Sequence, residues 1–351
     1  MVVLLDLEQS HRKQVLEQFL ETLLLVQLVV GGWLPDKNAV PVAICDIEES
    51  AFTSAVKTNI SADGGNDLSA YNLYTDLEEM LANEQIDLID ICLPTPLHCE
   101  YAIKMLERGY HVQSEKPMSL TEEDCRRMIE ARDRSGKQLM IGQCLRFYRQ
   151  YEFLKACIED GRYGKVTAAH FERLSGPPRW GWNNWYMKPE LSGGVIYDLH
   201  IHDCDMIRWL FGEPKAFSAV AAQNFVKHDT VFVQYYYDEL PVAAVAEWSL
   251  KGTKFHAGYR VGFEKASVIF DSNGVNVYSK EDGSVEKIEI APYGGIEAEI
   301  EYFVDCIEKG IAPEKNMPES SARTVAIANK LLYSADHMGE RMEFDAPKYG
   351  N

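Results

Sequence analysis

Basic charge is scarce in this 351-residue chain, in which 35 Lys and Arg stand against 54 Asp and Glu for a formal net charge of −19. Such a surface repels phosphate backbones, and no basic stripe or RNA-binding signature offsets it, so nucleic acid is not an expected partner. Long apolar runs are also missing. The stretch from Leu23 to Val30 is interrupted by Gln27 and ends at Gly31-Gly32, short of the roughly 20 residues a membrane-spanning helix needs. No basic segment leads into an apolar run with a small-residue cleavage site, so the expectation is no membrane and a cytoplasmic location. The eight cysteines form no C-x-x-C pair and fall mostly in apolar strand-like or helix-like runs. They read as reduced, buried small hydrophobes rather than disulfide or metal ligands.

With 46% hydrophobic and 25% charged residues, what is present is ordinary globular material, long enough for about two domains. The first part alternates short β-branched runs with longer periodic segments, the pattern of a doubly wound parallel sheet. Strands are expected at Val2–Leu5, Pro41–Cys45, Asp87–Leu93, Tyr110–Ser114 and Lys137–Gly142. Helices are expected at His11–Leu25, Leu77–Asn83, His98–Arg108 and after the capping sequence at Ser119. Beyond about Arg149 the texture changes to one helix, Tyr151–Asp160, then alternating runs such as Val166–Arg173, Ala216–Ala222, Thr230–Tyr237 and Val242–Ser249. Period-two alternation over successive segments predicts a large open, mainly antiparallel sheet, closed by helices Glu297–Lys309 and Ser320–His337. The expected division is a Rossmann-type α/β domain over 1–145 and a second α/β domain over 146–351.

Two constellations carry chemistry. Pro94-Thr95-Pro96-Leu97-His98 follows one predicted strand and Glu115-Lys116-Pro117 follows the next. Ligands of open α/β sheets bind outside the carboxyl ends of strands, where both motifs fall. The second runs from Gly193-Gly194 through Asp198, His200 and His202 to Asp203 and Asp205. Asp198 and His202 are four residues apart, so a helix puts them on one face with the carboxylate able to orient the imidazole. Histidine suits proton transfer near neutral pH. The His200-x-His202 pair raises a metal site, but residues two apart diverge on a helix, so none is expected. Trp180, Trp182 and Trp185, interleaved with amides and preceded by Arg146, suit the stacking faces and hydroxyls of a sugar; they equally suit a structural plug beneath a loop.

Together, Thr95-Pro96-x-His98, Glu115-Lys116-Pro117 and Gly193-Gly194 followed by Asp198-x-x-x-His202 resemble the glucose-fructose oxidoreductase, inositol dehydrogenase and MocA (Gfo/Idh/MocA) family. The resemblance implies catalytic Lys116, Asp198 and His202; cofactor contacts from Asp46, Pro94, Thr95, His98, Glu115 and Lys116; and substrate contacts from Arg146, Trp180, Trp182, Trp185 and His202. It also implies reversible oxidation of a sugar or cyclitol hydroxyl with NAD or NADP, in a homodimer or homotetramer. Asp46, closing the second predicted strand, favours NAD through the adenosine ribose.

The family's glycine-rich turn, which brings backbone amides to a pyrophosphate, has no counterpart. Leu7-Glu8-Gln9-Ser10-His11-Arg12-Lys13 holds no glycine. Three readings follow: Ser10, Arg12 and Lys13 replace the glycine amides; the first segment is altered or mis-started; or the chain has lost its cofactor and serves as a sugar-binding or partner protein. Redox-assisted glycoside cleavage is a further alternative.

Overall fold

The helices of this protein start and stop where short-range chemistry satisfies their end groups. In the computed structural model, which describes residues 42–52, 68, 71–179, 182–291 and 294–349, Thr121 accepts the Asp124 N–H at 3.1 Å and Gly136 closes the same helix at φ 67°. Asp76 likewise accepts the Glu79 N–H at 2.7 Å. The expectations at Val2–Leu5 and His11–Leu25, and those for Ser10, Arg12, Lys13 and Trp180, lie outside the described residues.

The first part contains β1 (Ala43–Cys45), β2 (Asn72–Tyr74), α1 (Leu77–Asn83), β3 (Leu88–Ile91), α2 (Thr95–Glu107), β4 (His111–Glu115), α3 (Glu122–Ser135) and β5 (Leu139–Gly142). β1 pairs with β2, and β3, β4 and β5 pair in that order, all in parallel. Ile89, Ile91, Val112, Leu139 and Ile141 bury one sheet face with Ala102, Met105, Met128 and Ile129 of α2 and α3. α2 begins three residues before the expected His98, because Pro96 sits in its first turn, where a missing N–H costs nothing.

The second part contains α4 (Arg149–Asp160), β6 (Val166–Leu174), α5 (Ile201–Phe211), β7 (Ala216–Ala222), β8 (Thr230–Tyr236), β9 (Pro241–Glu247), β10 (His256–Phe263), β11 (Ala266–Asp271), β12 (Gly274–Ser279), β13 (Val285–Ile288), α6 (Gly295–Lys309), α7 (Pro318–Asp336) and β14 (Met342–Glu343). Its strands form one nine-stranded sheet in the order β13-β12-β11-β10-β6-β9-β8-β7-β14. All pairs are antiparallel except the parallel β6–β9 contact. Alternate residues such as Phe171, Val233, Tyr235, Ala244 and Val261 point into the core, while Val220 and Phe232 on the opposite phase are exposed. All eight cysteines are free thiols, and only Cys144 is not fully buried.

A buried ion network ties the turn that follows β5 to α5 and α7. Arg146, in the turn Cys144–Phe147, donates from Nε and Nη2 to the two Asp205 oxygens at 2.7 and 2.6 Å. It also donates to Lys315 O and Ser320 Oγ. Arg208 lies 3.9 Å from the same Asp205 carboxylate and reaches the start of α7 through Ser320 O. Arg146 acts here as an internal strut: at 3% exposure it spends four of its five N–H donors on the protein, which does not support the expected substrate contact. Removing one partner from such a network leaves charge buried and uncompensated. Asp205→Ala is expected to destabilise the fold by about 3–5 kcal/mol, measured by chemical denaturation; a loss under about 1 kcal/mol, the scale of a solvent-screened pair, would contradict this reading.

Candidate active site

The carboxyl ends of β3 and β4 carry the first group of candidates. Pro94 caps α2, Thr95 is buried in its first turn, and Lys116 follows β4 directly. Asp46 lies at the end of β1, where its Oδ1 accepts the Glu48 N–H at 2.9 Å. The Glu115 carboxylate accepts the Lys116 N–H at 3.2 Å and lies against Gly142, where a Cβ would come within 3.3 Å of its Oε2. His98 differs from its expected part as a cofactor contact. Its ring is buried, with Nδ1 2.8 Å from Pro117 O and Nε2 2.6 Å from Leu93 O. Both ring nitrogens are thus committed to the main chain.

The second group is built by Gly193 and Gly194, at φ 72° and 68°. A Cβ on Gly193 would sit 2.4 Å from the Tyr197 ring, so glycine is what lets that ring fold back over the turn. The next five residues, Ile196–His200, wind as a π-helical turn before α5. This widening, with its i→i+5 bonding, changes the four-residue relation expected of Asp198 and His202. Asp198 instead faces the other domain: Lys116 Nζ donates to Asp198 Oδ1 and to Asp198 O, both at 2.9 Å. No hydrogen bond joins Asp198 to His202, whose buried Nδ1 has no partner among the described residues.

His202 is held neutral. Burial pushes its pKa well below the ordinary histidine value, and the cations Lys116 and Arg173 push it further. Arg173 was not singled out from the sequence. It projects from the inward phase of β6 and binds Asp203 through Nε at 3.2 Å and Nη2 at 3.0 Å, with Tyr151 Oη on the same Nη2. A charged residue in the buried phase of a strand was the available signal. His200 Nε2 lies 2.7 Å from Tyr235 Oη, and burial takes its pKa down to about 3, so it packs rather than titrates.

Of the three tryptophans, Trp182 has its backbone in the 3₁₀ turn Trp182–Met187 but no described side chain. Trp185 is buried at 5% exposure and stacked on Tyr186 at 4.4 Å. Tyr186 in turn meets the Trp248 edge at 6.5 Å. Its face is covered by protein, so it serves as the plug rather than as a sugar platform. Also unforeseen were the buried acids behind Lys116. Glu299 of α6 accepts from Asn316 Nδ2 at 2.9 Å while the same amide reaches Ile141 O at 2.6 Å. Burial raises the pKa of Glu115 and Glu299 alike, and that of Asp90, on β3, to about 7.

Residues 33–143 match the family model described as "Oxidoreductase family, NAD-binding Rossmann fold", and residues 151–269 match "GFO/IDH/MocA C-terminal domain". The chain is 30% identical over 190 residues to a 2,7-anhydro-N-acetylneuraminate hydratase of Mediterraneibacter gnavus, covering 52% of this chain and 50% of that protein. It is 32% identical over 152 residues to a 1,5-anhydro-D-fructose reductase of Ensifer adhaerens, covering 43% of this chain and 45% of that one. The chain thus spans about half the length of the curated relatives it matches. A levoglucosan dehydrogenase solved with NADH superposes with a TM-score of 0.75 at 18% identity, covering 93% of this chain and 95% of that one, which shows a shared fold.

The Gly193–Tyr197 packing is open to direct test, because the Tyr197 hydroxyl donates to Leu120 O at 3.1 Å and so ties the π turn to the loop after Lys116. Gly193→Ala is expected to cost about 1–3 kcal/mol in denaturant unfolding, through its left-handed backbone and the crowded ring. Tyr197→Phe, which removes one hydrogen bond, is expected to cost about 1 kcal/mol. A Gly193→Ala protein as stable as the parent would show that the ring does not pack as described.

Proposed function

The chain belongs to the Gfo/Idh/MocA family of oxidoreductases, and from that premise we propose that it transfers a hydride between a sugar or cyclitol hydroxyl and NAD or NADP. The observation that carries the reading is the Lys116–Asp198 bridge, which holds an ammonium group at the carboxyl end of β4. A neutral histidine with an unpartnered nitrogen is placed on the adjoining helix.

The described residues fit a dinucleotide at the ends of β1, β3 and β4. Asp46 would meet the adenosine ribose, Pro94 and Thr95 line the loop after β3, and Glu115 and Lys116 lie at the nicotinamide end. When bound, the nicotinamide supplies the hydride acceptor in the oxidative direction and the donor in the reverse. His202, unprotonated, takes the hydroxyl proton of the substrate; in reverse it returns it. Lys116 has three N–H donors, of which two are engaged by Asp198. The third is left for the substrate oxygen, where it stabilises alkoxide character. Asp198 is thereby the anchor of Lys116 rather than of His202.

The names of the relatives, an anhydro-sugar hydratase and an anhydro-sugar reductase, support a sugar-like substrate. Self-association into a homodimer or homotetramer belongs to the same proposal, supported by the outward sheet face on which Phe232 and Val220 are 55% and 52% exposed.

Calorimetric titration with NAD and NADP, followed by nicotinamide absorbance with a panel of inositols, hexoses and anhydro-sugars, tests the reading. No binding at millimolar cofactor would leave the sugar-binding or partner alternative. Lys116→Ala and His202→Ala are each expected to lower turnover by at least about 10²-fold with cofactor affinity retained; near-parental rates for either would remove the assignment. The lowered His202 pKa also fixes a pH limb. The base form is present above that pKa and is lost as pH falls through it, so the acid limb of kcat/KM for hydroxyl oxidation lies below the ordinary histidine value of 6.5. An acid limb at or above 6.5 would contradict it.

A further inference from the structure

The reaction centre contains a second histidine whose surroundings are unlike those of a ligand-binding group. His98, 1% exposed, stands in the first turn of α2 with one ring nitrogen at Leu93 O and the other at Pro117 O. Leu93 lies two residues past β3, ahead of the loop that would face a dinucleotide, and Pro117 immediately follows Lys116. We infer that His98 is a positioning residue, which sets the direction of the Lys116 side chain by donating Nδ1–H to Pro117 O, the main chain next to Lys116. The inference rests on the reading of Lys116 as a catalytic group.

Three contacts then hold the Lys116 loop. His98 holds Pro117 O from one side, the Tyr197 hydroxyl holds Leu120 O from the other, and the Lys116 ammonium itself is held by Asp198. Of the two main-chain contacts, the first is the nearer to Lys116 along the chain. The two ring nitrogens lie in one rigid plane, so an Nδ1–H held on Pro117 O also fixes Nε2 beside Leu93 O, whereas a flexible amide reaches only one of the two positions. The two carbonyls favour a protonated ring, while burial, the larger influence, and Lys116 favour the neutral one. In the Nδ1–H tautomer the neutral ring secures Pro117 O.

Substitution separates the two arms. His98→Asn keeps a donor near the Nδ1 position, toward Pro117 O, and His98→Gln keeps one near Nε2, toward Leu93 O. Two readouts are needed: steady-state kinetics in both NAD(P) and sugar, and the acetylation rate of Lys116 relative to the other lysines, mapped by mass spectrometry. His98→Ala is expected to lower kcat by about 10- to 100-fold with the cofactor KM unchanged, and to speed Lys116 acetylation severalfold as its hold on Asp198 loosens. His98→Asn is expected to restore both readouts more fully than His98→Gln. Where His98→Ala fails to fold, the comparison of Asn with Gln decides alone. Equal behaviour of those two variants, or acetylation of Lys116 at the parental rate in all of them, would overturn the inference. A cofactor KM that rises while acetylation stays constant would make His98 a determinant of cofactor binding instead. Failure of the catalytic reading would appear separately, as a Lys116→Ala protein that retains its turnover.

Discussion

The contact on which the rest of the reaction centre depends is the bridge from Lys116 to Asp198. It joins the loop after a parallel strand of one domain to a helix of the other, and each partner is mostly covered, at 14% and 19% side-chain exposure. At that depth the pair loses much of its hydration, and the loss is offset only if the geometry is good and the remaining hydrogen-bond capacity is used. Lys116 meets that condition by donating to the Asp198 carbonyl as well as to its carboxylate. The carbonyl and carboxylate of one residue can face a single ammonium because the chain there winds as a π turn. Gly193 makes that turn possible by leaving room for Tyr197, whose hydroxyl returns to the Lys116 loop. The two glycines, the widened turn and the ion pair form one mechanical unit.

Charge around this unit is distributed to keep a base available. Lys116 and Arg173 oppose protonation of His202, and burial adds to them. Arg173 is in turn compensated by Asp203, on the residue following His202. On the Rossmann side, burial raises the pKa of Glu115 and Glu299, which favours their protonated forms and limits the negative charge behind Lys116. An unprotonated imidazole and an ammonium can therefore stand close together without either being neutralised by a stray carboxylate. Asp198 is the acid placed to meet the cation, and its contact is with Lys116 and not with His202.

Much of the scaffold was legible in the sequence because it follows from periodicity. The alternation in Ala216–Ala222 marks a strand with those bounds, and the apolar spacing of Leu77–Asn83 marks a helix likewise. β10 to β13 were not marked out, although Tyr259, Val261 and Phe263 in β10 and Val275 and Val277 in β12 alternate inward. The placement of Lys116, Asp198 and His202 was legible as a motif, but their pairing was not. Spacing of four residues assumes 3.6 residues per turn, and a local widening of the helix leaves no trace in composition. Arg146 and Trp185 were misplaced for another reason. Guanidinium and indole groups suit a sugar and suit an interior strut or plug equally well, and only burial distinguishes the two uses.

That distinction separates groups that can meet a substrate from groups that hold them. His98, Arg146, Tyr197 and Trp185 each have a side chain able to bind a ligand, yet each is closed within the protein. The first three spend polar atoms on main-chain carbonyls or on Asp205. By contrast, His202 is only partly buried and no hydrogen bond among the described residues engages its ring, and Lys116 has a third donor beyond the two that Asp198 engages. In the proposed reaction a substrate hydroxyl has a proton to give and an oxygen to be stabilised, and His202 and Lys116 would meet those two needs. The Tyr197 hydroxyl and the Arg146 guanidinium matter to the site by being engaged within the protein, because an occupied donor fixes a loop where a free one would compete for a ligand.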